Sequence, residues 1–264
     1  MPEFLEKILA RKKKRMEEQR EIFPLPRLER LLAEAPPLRD PFASLLRKEN
    51  GAIPIIAELK RKSPSAGELR PGLSPAAYAK IYQRAGARAI SVLCEQDHFG
   101  GSLEDLKETK TQCDLPVLCK DFILSTFQVV LGRIYGADLI LLIVSALDPK
   151  KLQELFLLTR ELGMTPLVEI HDQAELEITL ESGARLIGIN NRNLDTLETS
   201  LDTTRKLLPL IPKDHIVISE SGFSSRAELE EFQALGVQAF LIGGSILAAE
   251  NPEQKIRELV YGQG

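Results

Sequence analysis

One pattern recurs along this chain: a run with helical periodicity, a glycine, a short link, then a stretch of β-branched and aliphatic residues. It appears in QRAGARAISVLCE, IYGADLILLIVSA, ELGMTPLVEI, LESGARLIGINNR and QALGVQAFLIGG. Gly86, Gly136, Gly163, Gly183 and Gly236 each fall where a helix should end. That position commonly takes a left-handed backbone, which glycine adopts at least cost. Three further stretches, IPIIAELK, LPVLCKDF and HIVISESG, have strand composition without the glycine lead, bringing the strands to eight.

Periodicity and caps predict helices between them over Ser74–Ala85, Ser102–Cys113, Ser125–Tyr135, Pro149–Leu162, Asp172–Ser182, Leu201–Leu210, Ser225–Leu235 and Pro252–Tyr261. SLED, STFQ, DQAE and SRAE at helix starts have the pattern of a capping box. Strict alternation of buried strands with helices builds a parallel sheet, and eight such units predict a closed α/β barrel, the (β/α)8 or TIM barrel. An open doubly wound sheet would place a glycine-rich phosphate turn after its first strand. The first loop here is RKSPSAGELRPG, which has neither GxGxxG nor GxxxxGK[ST].

A length of 264 residues suits one such barrel. Residues 51–264 are assigned to it, and residues 1–50 to an N-terminal helical extension of the same domain. The extension carries helices at Phe4–Ile22 and Pro26–Ala33, then the breaker EAPPLRDP. It suits either a plug under the barrel floor or a lid over the active end.

Composition narrows the partners. A net charge of −4 argues against a nucleic-acid surface, which usually has a basic excess. The basic run Arg11–Arg15 is followed closely by acids and reads as a solvated helix face. The longest apolar stretch, LILLIVSAL, is too short to cross a bilayer as a helix, and no apolar signal segment follows the N-terminal charges. Cys94, Cys113 and Cys119 lack CxxC spacing, and His98, His171 and His215 lie far apart, so no metal is expected and the thiols suit a reducing cytoplasm.

In a barrel of this type the active site gathers at the C-terminal strand ends. Those ends carry Glu58 and Lys60, Glu95, Lys120 and Asp121, Ser145, Glu169, Asn190 and Arg192, Glu220 and Ser221, then Gly243, Gly244 and Ser245. Residues two apart in a strand share a face. Glu58 therefore points with Lys60, and Asn190 with Arg192. Lysines and carboxylates converging at a dry barrel mouth shift one another's protonation, as general acids and bases require. After strands seven and eight, SESGF and LIGGS leave Gly222, Gly243 and Gly244 without side chains to block backbone N–H groups from a phosphate. Lys60, Lys120 and Arg192 are the cations for such an anion.

Taken in order, AELKRKSPSAG, SVLCEQDHFGGS, VLCKDFI, LVEIHD, IGINNRNL, ISESGF and AFLIGGSIL resemble the indole-3-glycerol phosphate synthase family over nearly the whole chain. The resemblance implies a cytoplasmic lyase of tryptophan biosynthesis that closes and decarboxylates 1-(2-carboxyphenylamino)-1-deoxyribulose 5-phosphate with no metal or organic cofactor. It implies catalytic roles for Glu58, Lys60, Lys120, Glu169, Asn190 and Ser221. Lys120 would protonate the ribulose carbonyl, and Glu169 would face the positive charge on the aniline nitrogen. Lys60, held by Glu58, would move a proton or hold an anion.

Substrate contacts implied by the same resemblance are Gly222, Gly243 and Gly244 to phosphate; Phe99, Phe122 and Leu194 to the anthranilate ring; Arg192 and Ser63 to anionic groups; and Glu220 as an orienting group. The tail KSPSAG becomes a substrate loop. Cys94 and Cys119 depart from the family, which commonly has Thr and Arg there. A small-molecule sugar phosphate is the expected partner, with no nucleic acid or membrane, and a monomer is favoured over a homodimer. Two other readings stay open: another tryptophan-pathway barrel such as phosphoribosylanthranilate isomerase, and a non-catalytic barrel that binds a phosphorylated ligand.

Overall fold

The computed structural model describes residues 3–47, 49, 51–63, 67–70, 72–194 and 196–262. Eight parallel strands close into a barrel in sequence order: β1 (Ile55–Leu59), β2 (Ala89–Leu93), β3 (Val117–Lys120), β4 (Leu139–Ile143), β5 (Thr165–Ile170), β6 (Leu186–Asn190), β7 (Ile216–Glu220) and β8 (Ala239–Ile242). The helices are α1 (Glu3–Ile22), α2 (Leu25–Ala33), α3 (Pro41–Leu45), α4 (Pro75–Ala85), α5 (Leu103–Gln112), α6 (Thr126–Ile134), α7 (Pro149–Glu161), α8 (Gln173–Glu181), α9 (Asp202–Leu207), α10 (Arg226–Leu235), α11 (Gly244–Ala248) and α12 (Pro252–Tyr261). The five glycines of the repeat all have left-handed backbones, with φ from 77° at Gly163 to 117° at Gly236.

Strand alternation divides the apolar residues into two clusters. Ile140 and Leu142, like Val168 and Ile170, pack outward against the helices. Leu139, Leu141 and Ile143 point inward with Ile56, Leu118, Leu167, Leu186, Ile218 and Leu241, filling the barrel. The same period that sends Leu167 inward sends Glu169 inward two residues later.

The extension does two jobs. Leu5, Ile8 and Leu9 of α1 are buried, and one turn further on Lys12 pairs with Asp121, just past β3. Arg11 and Arg15 reach Asp97, past β2, with Arg15 binding it through two hydrogen bonds of 2.6 and 2.7 Å. Helix α1 therefore lies along the barrel mouth, and the basic run is only partly solvated. Positions 5, 8, 9, 12 and 15 or 16 share one helix face, which pulls Lys12 and Arg15 down with the apolar stripe. Helix α2 packs beside α6. At the opposite end, Asp40 caps α3, whose Ser44 hydroxyl donates to the Arg88 carbonyl and whose Leu45 closes the barrel floor.

Several local expectations change. Helix α3 and the short α11 have no counterpart in the sequence reading, and the expected helix over Leu201–Leu210 gives way at Leu208 to a 3-10 turn that contains Pro209. Of the four expected capping boxes, only that of Ser225 is reciprocal. At α5 the fourth residue, Asp105, is drawn to Arg61; at α8 Glu175 turns to His171; and Ser125 of α6 makes no cap bond. Each acid has a stronger charged or backbone partner. Outside the barrel, residues 62–63 and 67–68 pair antiparallel; residues 64–66 of the expected substrate loop lie outside the described residues. Among the described residues no helix is long and apolar enough to cross a membrane.

Candidate active site

A cavity of about 440 Å³ opens at the C-terminal ends of the strands. Its wall contains Glu58, Lys60, Phe99, Lys120, Phe122, Glu169, Asn190, Arg192, Leu194, Ser221, Gly222, Gly243 and Gly244, so one site brings together residues from around the whole barrel mouth, β4 contributing only Leu141 and Ile143. Leucines and isoleucines form the base, where the inward rows of β4 and β8 meet.

Two lysines organise the charge. Lys60 pairs with Glu58, its neighbour two residues back on β1. Lys120 at the end of β3 donates to Glu169 of β5 at 3.1 Å and to Glu220 of β7 at 2.6 Å. Burial opposes the Lys120 charge, but Glu169, Glu220 and Glu58 outweigh it and raise the ammonium well above the usual lysine range. Burial likewise works against Glu169, yet Lys120, His171 and a hydrogen bond from Asn190 hold it below the usual carboxylate value. Glu220 is the carboxylate that yields: burial, with Glu169 and Glu58 adding, raises it to about 7 against the pull of Lys120. Lys60 is taken up by Glu58, and Lys120 alone is shared between Glu169 and Glu220, so proton affinity rises on the less supported of those two.

Space for these acids comes from missing side chains. A Cβ at Gly188 would collide with the Glu220 carboxylate, and one at Gly243 with that of Glu58. Gly243, expected only as a phosphate contact, is thus first of all room for Glu58. Gly244 faces open space. Ser221 has φ 67° and Gly222 φ 94°, so the turn after β7 runs left-handed through two residues. A serine held there is a strained backbone of the sort that persists at ligand sites.

Two expected contacts lie elsewhere. Ser63 pairs with Gly67 in the small hairpin and is not part of the cavity wall, because β1 ends at Leu59 and the chain has already turned out of the barrel. Glu220 lies beneath the wall, 1% exposed, and meets the site through Lys120.

Other residues were given no role from the sequence, although Asp121 and Ser245 stood among its polar strand ends. Asp121, Thr199, Phe223, Ser224 and Ser245 also line the cavity. Buried Glu95 accepts from the backbone N–H groups of Asp97, His98 and Phe99 and so fixes the loop that delivers Phe99. Asn191 donates to Ser219 and to the carbonyls of Glu220 and Ser221, and accepts from Thr204, tying the β6 and β7 ends together. Glu95 stood among the polar strand ends, but Asn191 points outward from the barrel, where strand alternation gives no hint of a role. Cys119 packs against Cys94 outside the barrel, so its departure from the family does not touch Lys120. Among the described residues no group of His, Cys, Asp and Glu is arranged to hold a metal ion.

The barrel is similar in fold to KGPDC from Streptococcus mutans (TM-score 0.59, 16% identity, 79% of this chain and 95% of that one). It is similarly close to 3-hexulose-6-phosphate synthase from Salmonella typhimurium (TM-score 0.58, 15% identity, 78% and 96%). At such identities the likeness is one of fold. Sequence similarity goes further. Two indole-3-glycerol phosphate synthases of Dehalococcoides mccartyi strains are 45% and 44% identical over 259 residues, 97% of this chain and 99% of each relative. A sequence model of that family, described as indole-3-glycerol phosphate synthase, matches residues 5–259. The chain belongs to the indole-3-glycerol phosphate synthase family.

Proposed function

We propose that this chain converts 1-(2-carboxyphenylamino)-1-deoxyribulose 5-phosphate to indole-3-glycerol phosphate, releasing carbon dioxide and water, through the cavity at the barrel mouth. The observation that carries the chemistry is Lys120, a buried ammonium held by Glu169 and Glu220. It is protonated before substrate arrives. As the aromatic carbon attacks the ribulose carbonyl, the oxygen gains charge and takes the Lys120 proton. Glu169, kept anionic, stabilises the positive charge that spreads to the aniline nitrogen, and loss of the carboxylate restores the aromatic ring.

Dehydration of the closed ring needs a second proton donor at the leaving hydroxyl. Lys60, oriented by Glu58, supplies it, and a carboxylate of the cluster takes up the proton lost from the ring carbon beside the nitrogen as the double bond forms, with Asn190 and Ser221 as polar contacts to the reacting oxygens. Gly222, Gly243 and Gly244 offer backbone N–H groups to the phosphate, Arg192 an anion contact, and Phe99, Phe122 and Leu194 an apolar bed for the anthranilate ring. Glu220 acts by orienting Lys120. None of these steps calls for a metal or organic cofactor, and a monomer carries a complete site.

The test is the appearance of indole fluorescence from the carboxyphenylamino substrate. Product formed by the unsubstituted protein and lost in Lys120→Ala supports the reading. Consumption of phosphoribosylanthranilate with no indole product would instead favour isomerase chemistry, and phosphate binding without turnover a ligand-binding barrel.

A further inference from the structure

We propose that His171, held by Glu175, is a positioning residue that clamps the second oxygen of the Glu169 carboxylate and brings a further cation to the barrel mouth. This deepens the reading above and rests on its placing of Glu169 at the reacting nitrogen.

The geometry is a relay. Glu169 gives one oxygen to Lys120 at 3.1 Å. Its other oxygen lies 3.5 Å from His171 Nε2. On the far side of the ring, His171 Nδ1 sits 3.1 Å from Glu175 of α8, and the same Glu175 oxygen accepts the His171 backbone N–H at 2.7 Å. Glu175 thus holds the ring by one contact and the backbone beside it by another, and fixes which nitrogen faces Glu169. Nε2 is buried and has no hydrogen-bond partner closer than that carboxylate. With Nδ1–H given to Glu175, Nε2 carries a proton toward Glu169 only in the imidazolium form, and a short movement of Glu169 would then close that bond.

Charge balance points the same way. Lys60 is taken by Glu58 and Lys120 is shared between Glu169 and Glu220, so Glu169 has no ammonium of its own. Fields on the imidazole come from Glu169 on β5, Glu175 on α8 and Glu220 on β7, with Lys120 facing Glu169 from β3. Burial alone would lower the ring's proton affinity, but the Glu175 hydrogen bond and those three carboxylates outweigh it and raise it above the ordinary 6.5. An imidazolium next to Glu169 keeps that carboxylate ionised and still, as charge stabilisation at the aniline nitrogen demands.

The test compares His171→Gln, which keeps a neutral donor, with His171→Leu, which keeps none, beside an NMR titration of the His171 ring in the unsubstituted protein. The ring should titrate above 6.5 and fall in Glu175→Gln and in Glu169→Gln. In His171→Gln, kcat should drop on the order of fivefold near pH 6, the scale of one partly screened ion pair, with KM little changed and the decline above about pH 6.5 abolished. His171→Leu should lose more. A ring that titrates at or below 6.5, or a pH profile unchanged in both variants, overturns the proposal. If instead Glu169→Gln turns over normally, the reading of Glu169 falls, and the titration still decides whether the clamp exists.

Discussion

Both ends of the barrel bury a lysine against carboxylate, and they differ in how completely the acid is satisfied. At the floor, Lys110 of α5 donates to both oxygens of Asp138, just before β4, at 2.7 and 2.9 Å; the backbone N–H groups of Arg39 and Val117 complete the set at 2.7 and 2.8 Å. Every lone pair that matters is used. At the mouth, Lys120 serves two acids, and Glu220 keeps one buried oxygen without a donor. A saturated pair fixes structure, whereas an undersupplied cluster leaves protons to be moved. The floor holds α5 and the chain before α3 to the barrel; the mouth stores electrostatic tension for a substrate to relieve.

The comparison is most severely tested at the floor. Asp138→Ala leaves the Lys110 ammonium buried without its acid and should destabilise the fold by about 3–5 kcal/mol, the usual result of breaking a buried pair from one side. Urea unfolding measures it, and a loss below about 1 kcal/mol would make the two ends equivalent. Turnover per folded molecule should stay unchanged. At the mouth the order reverses. Lys120→Ala should cut turnover by about 10²-fold or more, the worth of a positioned acid, with the inhibition constant of inorganic phosphate little altered. Near-normal turnover would remove Lys120 from the chemistry.

A third prediction reads the tension itself. Glu220 titrates at about 7 in the fold against an ordinary 4.5. Because folding raises its proton affinity, its contribution to stability is complete below pH 4.5 and fades as pH rises to about 7. Glu220→Gln should therefore flatten the fall in unfolding free energy between those limits. Equal slopes in the two proteins would mean that the cluster holds no excess charge. The smallest effect belongs to the α1 tether. Arg15 holds the Asp97 carboxyl at about 2 from an ordinary 3.8, so its contribution is present above pH 3.8 and is lost as pH falls to about 2. The pair is partly solvated, and Arg15→Ala should cost only ~0.5 kcal/mol near neutral pH, visible as a small drop in melting temperature.

Much of this site was legible in one dimension because a strand's period is two. Ile56, Leu118, Leu167 and Leu186 face inward, so Glu58, Lys120, Glu169 and Asn190, an even number of residues further along the same strands, face inward too. Glycine after a helix marked five of the eight strand starts, and therefore the strand ends where polar residues collect. The N-terminal segment was harder to read. Its charges look solvated when counted along the chain, yet Lys12 and Arg15 share a face with Leu5 and Ile8, and only the partners Asp121 and Asp97 reveal what that face meets. Ser63 stands in the small hairpin rather than on the cavity wall because the point where a strand leaves a barrel is not a local property.

What the sequence by itself determined is the architecture and the cast: eight strand–helix units, the side on which each strand end projects, and a family resemblance carried by seven ordered motifs. Local chemistry suffices for these, since backbone period, glycine at helix ends and burial of aliphatic strands act within a few residues. The tertiary structure alone decided how the charges are shared. Which carboxylate keeps Lys120, which one takes up a proton, and which faces His171 depend on distances between residues tens of positions apart. Coulomb energies in a poorly solvated cluster depend on those distances and on burial, and neither can be read from order along the chain.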